Sequence, residues 1–201
     1  MSALWARIEA APGAPGAPSS DFDLNADVIL PGRRVLRDAA VLVGFADGPG
    51  GPRLLLTKRS SRLRHHPGQI AFPGGKIEPG ETAEAAALRE AGEEVGLPPG
   101  AARVLGRLPA HETVTGFTVT PVLARLAPFA PVPEPGEVAE AFTLPAAHVL
   151  DPANFTVERR LWRGEWRRYY AVPYGPRYVW GATARILRGL ADRCSGSTTT
   201  G

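Results

Sequence analysis

Glu90, Glu93 and Glu94 fall within one arc of a predicted helix, because residues three and four apart stack on the same face at about 100° per residue. Carboxylates placed so close repel. At about 4 Å and an effective dielectric near 20, each like-charged pair costs on the order of 4 kcal/mol. A divalent cation removes that cost, and hard cations such as Mg²⁺ prefer oxygen ligands. Glu90 and Glu94, four apart, are expected to grip the ion, with Glu93 as auxiliary ligand. Arg89 stands four before Glu93 and can pair with it, holding the stripe in one rotamer. Glu81 lies nine before Glu90, so on one continuous helix the two would face opposite ways. It must act from the preceding turn. Gly74 and Gly75 lack side chains, so a phosphate or an ion can approach their backbone closely. Such a group suits the cleavage of a phosphate linkage in water, which needs charge neutralisation, alignment and a base.

The elements that position these residues follow from local signals. Thr82 to Val95 is the helix: Thr82 caps it, Glu84 suits its positive end and Gly96 stops it. Its opposite side is read as Ala85, Leu88, Gly92 and Val95, small enough for the helix to lie close on a sheet. Ala39 to Phe45 and Arg53 to Thr57 are apolar runs around ADGPGG, which predicts a hairpin. Residues 60 to 75 form a loop with a short strand at Ile70 and Ala71. Strands are expected over 103–110, 117–126 and 137–142, then a short helix over 146–150. A second hairpin spans 155–161 and 166–172, with Arg163 and Gly164 at its turn, and an amphipathic helix runs from Gly181 to Arg193. Strands interrupted and closed by helices fit an α/β/α layering.

Two motifs adjoin without a gap over roughly a fifth of the chain. Gly75, Glu81, Arg89, Glu90, Ala91, Glu93, Glu94, Gly96 and Leu97 fill every slot of a pattern that resembles the Nudix box, with Ala91 a small choice at an apolar slot. Upstream, LLTKRSSRLRHHPGQIAFPGG places Leu55, Leu56, Thr57, Arg59, Ser60, Arg64, Gly68, Phe72, Pro73, Gly74 and Gly75 in the order of a further motif. That motif is similar to the one carried by the coenzyme A pyrophosphatase branch of the Nudix hydrolases. YVWGATARIL, residues 178–187, echoes that branch more weakly.

The resemblance implies a Nudix-like α/β/α sandwich with a mixed β-sheet. It also implies metal-dependent hydrolysis of coenzyme A or acyl-CoA, giving adenosine 3′,5′-bisphosphate and 4′-phosphopantetheine or its acyl form. Mg²⁺ or Mn²⁺ is the expected cofactor. Arg89, Glu90, Glu93 and Glu94 are the expected catalytic group, and Glu90, Glu93 and Glu94 the metal ligands. The general base is either a glutamate of the box or one from a later loop, where Glu137 and Glu140 are the candidates. For substrate phosphates, Arg59 and Arg64 occupy motif positions, with Gly74 and Gly75 beside them; Lys58 and Arg62 do not. The alternatives are a Nudix pyrophosphatase acting on ADP-ribose, a dinucleotide or a nucleoside triphosphate, and a nucleotide sensor without turnover.

Composition sets the remaining bounds. With 201 residues the chain is long enough for one domain with a sizeable core. The net charge of +3 argues neither for nor against nucleic acid; the resemblance implies a small-molecule substrate, with no nucleic acid and no membrane as partner. Cys194 is the sole cysteine, so no internal disulfide forms and a reducing, cytoplasmic setting is expected. No apolar run nears the ~20 residues that span a bilayer. APGAPGAPSS, residues 11–20, is interrupted by Pro and Gly and is expected to be a flexible linker after a short N-terminal segment. Residues 21–194 would form the hydrolase domain and 195–201 a disordered tail, in a monomer or homodimer. His65 and His66 lack ligand partners at useful spacing and are read as surface or supporting residues. Trp180 is read as a core aromatic entering the last helix, with stacking on adenine as the alternative.

Overall fold

Alternation along residues 39–45 sends Ala39, Val43 and Phe45 to one side of a sheet and Ala40 and Leu42 to the other. Each side is covered by helices. The computed structural model of the chain describes residues 3–25, 28, 34–62, 67–162 and 164–196. In chain order these form α1 (Ala3–Ala10), β1 (Ser19–Ser20), β2 (Arg37–Gly48), β3 (Gly51–Arg59), β4 (Ile70–Ala71), β5 (Gly74–Lys76) and α2 (Ala83–Val95). Then come β6 (Ala102–Arg107), β7 (His111–Glu112), β8 (Phe117–Leu126), β9 (Val138–Pro145) and α3 (Ala146–Val149). β10 (Thr156–Trp162), β11 (Glu165–Tyr174), β12 (Arg177–Trp180) and α4 (Ala182–Ser195) complete it.

The large sheet runs β1-β7-β8-β2-β3-β4, with β5 on β2, β6 on β8 and β9 on β3. β2 lies parallel to β8, Val43 opposite Leu123, and antiparallel to β3, Phe45 opposite Leu54. The sheet is therefore mixed, as expected. One face packs α1, α3 and α4 around Phe45, Leu54, Leu56 and Leu187, and the other receives α2 on Leu42, Leu55 and Val122. This is the α/β/α sandwich.

Three expectations need correction. The second hairpin gains a third strand: β12 pairs with β11, Trp180 opposite Ala171, making a separate small sheet. Residues 11–20 hold regular structure. Ala11–Gly13 form a 3₁₀ turn and Ser19–Ser20 pair parallel with His111–Glu112. Their partners lie far along the chain: Arg193 donates to the carbonyls of Ala11 and Ala14, and buried His111 bonds the Ser19 hydroxyl at 2.9 Å and Asp21 at 3.1 Å. The helix before them is part of the core, with Trp5 and Ile8 buried. Residues 197–201 of the expected tail and Arg163 at the hairpin turn lie outside the described residues.

Trp5→Ala is therefore expected to destabilise the whole domain, by about 3 kcal/mol or more, because truncating a buried aromatic leaves a cavity. Urea denaturation checks this. A midpoint unchanged from wild type would mean that α1 is an appendage.

Candidate active site

α2 begins where its sequence says. The Thr82 hydroxyl accepts from the Ala85 N–H at 3.2 Å, and Gly96, at φ 66°, closes the last turn in the left-handed region. Val95 is buried as expected, but the rest of the buried face differs. Ala83, Ala86, Ala87 and Ala91 lie on the sheet, whereas Ala85 is exposed and Leu88 and Gly92 are half-buried. The alanine stripe continues straight into Glu94, which is only 5% exposed. The carboxylate edge and the packing edge are thus adjacent, so burial acts on the carboxylates directly.

Burial is the first cause that raises the Glu94 carboxyl, to about 8; the Glu90 and Glu137 charges push the same way. The Arg59 guanidinium and the Gly74 N–H, which donates to this carboxylate, offset part of it. Glu90 is raised as well, first by burial and then by Glu93 and Glu137, against the pull of Arg89. Glu90 lies flat on the β5 backbone: a Cβ on Gly75 would come 2.4 Å from its carboxyl carbon. At Gly74, a Cβ would come 2.4 Å from the Ala40 carbonyl oxygen. Both glycines are required for close approach, the first for a catalytic side chain and the second for strand pairing.

Arg89 organises the cluster. Its Nε and Nη2 donate to the two Glu81 oxygens at 3.0 and 3.2 Å, and Nη1 donates to Glu90 at 2.9 Å and Glu93 at 3.2 Å. Nη2 also donates to the Lys76 carbonyl at 3.1 Å. Glu81 is fixed in turn by the Glu78 N–H at 3.0 Å, and the Arg89 fork holds its carboxyl below the usual range. So Glu81 reaches the helix from the turn before it by gripping Arg89, which its sequence position could not reveal. Arg89→Lys removes the planar fork that spans Glu81 and Glu90 together. A fall of roughly 10–100-fold in kcat/KM is expected, as for loss of groups that orient site ligands. Steady-state kinetics against Arg89→Ala tests it; full activity in the lysine variant would show that charge alone suffices.

The other candidates separate. A loop folds over the end of α2, the Val132 and Glu134 N–H groups donating to the Val95 and Glu94 carbonyls at 2.9 Å each, and this brings Glu137 into the field of Glu90 and Glu94. Glu140, the second base candidate, is paired instead with Arg177, which holds its carboxyl low. That pairing corrects its place as a base. Arg59 is near enough for its charge to oppose the rise of the Glu94 carboxyl. Arg64, His65 and His66 lie outside the described residues. Trp180 is half-buried against Tyr169 and lines a cavity of about 650 Å³, so it is not simply core.

Among the described residues, no three Asp, Glu, His or Cys side chains already converge as a metal cage. Of the expected set, Glu94 is buried, whereas Arg89 holds Glu93 outward, where its side chain is 61% exposed. What remains is Glu90 and Glu94 with Glu137 in electrostatic reach. The Glu90–Glu94 pair fits a hard dication, because it offers oxygen donors only and both charged forms are penalised by burial and by neighbouring carboxylates.

The NUDIX domain signature matches residues 35–162. An uncharacterized Nudix hydrolase, NudL, of Escherichia coli (strain K12) is 44% identical over 157 residues, covering 77% of this chain and 81% of the relative. This chain belongs to the Nudix family. The NudL of Shigella boydii serotype 4 is 43% identical over the same length. Among solved structures, the Nudix hydrolase RenU of M. smegmatis is 34% identical, with a TM-score of 0.49 over 56% of this chain and 73% of that one. The NUDIX domain of Shewanella oneidensis NrtR, complexed with ADP ribose, is 21% identical with a TM-score of 0.46, over 62% and 82%. Nudix membership carries the general activity, hydrolysis of a pyrophosphate linkage, and the general cofactor class, a divalent metal ion. No helix among the described residues is long and apolar enough to cross a membrane.

Proposed function

We infer that this Nudix hydrolase cleaves the pyrophosphate of coenzyme A or its acyl derivatives. The observation that carries the reading is the run from Leu55 to Gly75, LLTKRSSRLRHHPGQIAFPGG. Its described part folds as β3, β4 and β5, with the Arg59 charge acting on Glu94 and Gly75 beneath Glu90. Gly68 and Phe72 of the same run border the neighbouring cavity. One motif thus joins the acidic cluster to a compartment large enough for part of a substrate.

Glu90 and Glu94 would hold Mg²⁺ or Mn²⁺, which supplies charge neutralisation and a more acidic water when bound. Glu137 is the base that accepts the proton of the attacking water, whose oxygen bonds to phosphorus as the bridging P–O bond breaks. Arg89 keeps Glu90 and Glu93 oriented, and Glu93 serves as auxiliary. Arg59, Arg64 and the backbone of Gly74 and Gly75 contact the phosphates. The products are adenosine 3′,5′-bisphosphate and 4′-phosphopantetheine, or its acyl form. The working form is a cytoplasmic monomer or homodimer, with no nucleic-acid or membrane partner.

Incubation with coenzyme A, dephospho-coenzyme A, ADP-ribose and a dinucleotide, with product identification, tests this. Preferential cleavage of coenzyme A to the two stated products is expected. Turnover of ADP-ribose or the dinucleotide alone would move the assignment to another Nudix substrate, and binding without turnover would make the protein a sensor.

A further inference from the structure

The cavity of about 650 Å³ lies between the large sheet and the small β10–β12 sheet, within the range of small-molecule sites. Its floor is apolar: Val41, Phe72 and Val119. One wall presents the rings of Tyr169 and Trp180, 5.2 Å apart and edge to face. Arg160 and Arg167 line the same wall, while Arg168 alternates to the other face of β11 and borders the cavity from there. Arg160 stands opposite Arg167 in the β10/β11 register, so both project from the face that carries Tyr169 two residues on. The Arg160 guanidinium lies 5.7 Å from the Trp180 ring centre. Asp21 is the acid in the lining, and both its oxygens are engaged elsewhere, with His111 at 3.1 Å and the Val114 N–H at 2.8 Å. Arg167 is paired with Glu165 at 2.8 Å, so the compartment offers aromatic faces beside Arg160, which Asp21 does not engage.

That combination selects among the parts of a long substrate. An acyl or pantetheine chain gains nothing from a guanidinium group beside aromatic rings. A nucleobase gains from the aromatic rings, and an anionic group on its ribose gains from arginine, whose fork matches phosphate oxygens. The distance also fits. Phe72 is two residues from Gly74, and Gly75 lies beneath Glu90, so floor and cluster are about 10 Å apart along an extended backbone.

We propose that this cavity holds the adenosine end of the substrate, the base against Trp180 and Tyr169 and the ribose 3′-phosphate against Arg160. The proposal rests on the coenzyme A reading and adds to it the residue that separates coenzyme A from its dephospho form. Arg160 comes from β10, outside both sequence motifs.

The test compares kcat/KM for coenzyme A and dephospho-coenzyme A in the wild type and in Arg160→Gln. Loss of one charged hydrogen bond predicts a fall of roughly 10–100-fold for coenzyme A. Dephospho-coenzyme A should change by less than about threefold, since it lacks the group concerned. Trp180→Leu should weaken both substrates by roughly tenfold, in keeping with the loss of a stacked base. A coenzyme A preference left intact by Arg160→Gln overturns the proposal. Calorimetry with adenosine 3′,5′-bisphosphate in the absence of metal supplies the second readout. Binding to the wild type and to Glu94→Gln, lost in Arg160→Gln, supports the site even if coenzyme A is not turned over, in which case the functional reading alone fails. No binding to the wild type, or equal binding to Arg160→Gln, also overturns it.

Discussion

Replacing Glu94 by Gln is expected to abolish turnover and, in metal-free protein, to strengthen the fold. The side chain is 5% exposed and its carboxyl is raised to about 8, first by burial and then by Glu90 and Glu137, with Arg59 the opposing charge. A carboxyl raised in the native state above its unfolded value of 4.5 binds its proton more tightly when folded. The linked stability is fully present below about pH 4.5, declines as pH rises and is lost through about pH 8. Metal-free wild type should therefore lose on the order of 2–4 kcal/mol between pH 4.5 and 8, and Glu94→Gln, with no charge to bury, should be spared most of it. The same change removes a proposed metal ligand, and the several kcal/mol that a bound cation contributes to the transition state correspond to a drop of roughly a thousandfold or more in kcat. Denaturation with chelator at pH 5 and pH 8, beside kinetics with Mg²⁺, measures both arms. A glutamine variant that retains turnover would remove Glu94 from the chemistry. A pH-independent wild type would show that water already solvates the group.

The second large effect belongs to a residue without a side chain. Gly75→Ala places a methyl group 2.4 Å from the Glu90 carboxyl carbon, where no carbon can sit. Glu90 must swing away, and with it one end of the Arg89 network. Displacement of a catalytic group by about 1 Å costs on the order of 100-fold. The backbone at Gly75 pairs with Ala40 and tolerates a side chain otherwise, so the melting temperature should fall little. Gly74→Ala behaves differently, since its methyl group meets the Ala40 carbonyl and the Val41 backbone and should loosen the β2/β5 pairing itself. Kinetics and thermal melts on the pair separate a lesion of the site from a lesion of the sheet. An active, stable Gly75→Ala would mean that Glu90 does not need its place against β5.

Much of this was legible in the sequence, for local reasons. Thr82 and Gly96 carry their cap chemistry with them, so the bounds of α2 could be read directly. Phe117–Leu126 alternates as a strand must and is one. What could not be read depends on distant partners. Glu90, Glu93 and Glu94 follow one another on α2, but of the face expected to meet the sheet only Val95 is fully buried. Alanines at 83, 87 and 91 give a weak hydrophobic signal, and the loop that buries Glu94 returns only at Val132 and Glu134. The anchoring of residues 11–20 needs His111 and Arg193, about 90 and 180 positions away. The cavity draws Phe72, Arg160 and Trp180 from three separate regions; its only trace in the sequence is the mixing of arginine with aromatic residues along β10 and β11.

Helix α1 shares its core with Leu187, Leu190, Ala191 and Cys194 of α4. On a ribosome, α1 would leave the exit tunnel with Trp5 and Ile8 uncovered, well before α4, its partner far along the chain, emerged. Nascent chains stalled before α4 should bind holdase chaperones through that amphipathic start, and release should coincide with synthesis of the last helix.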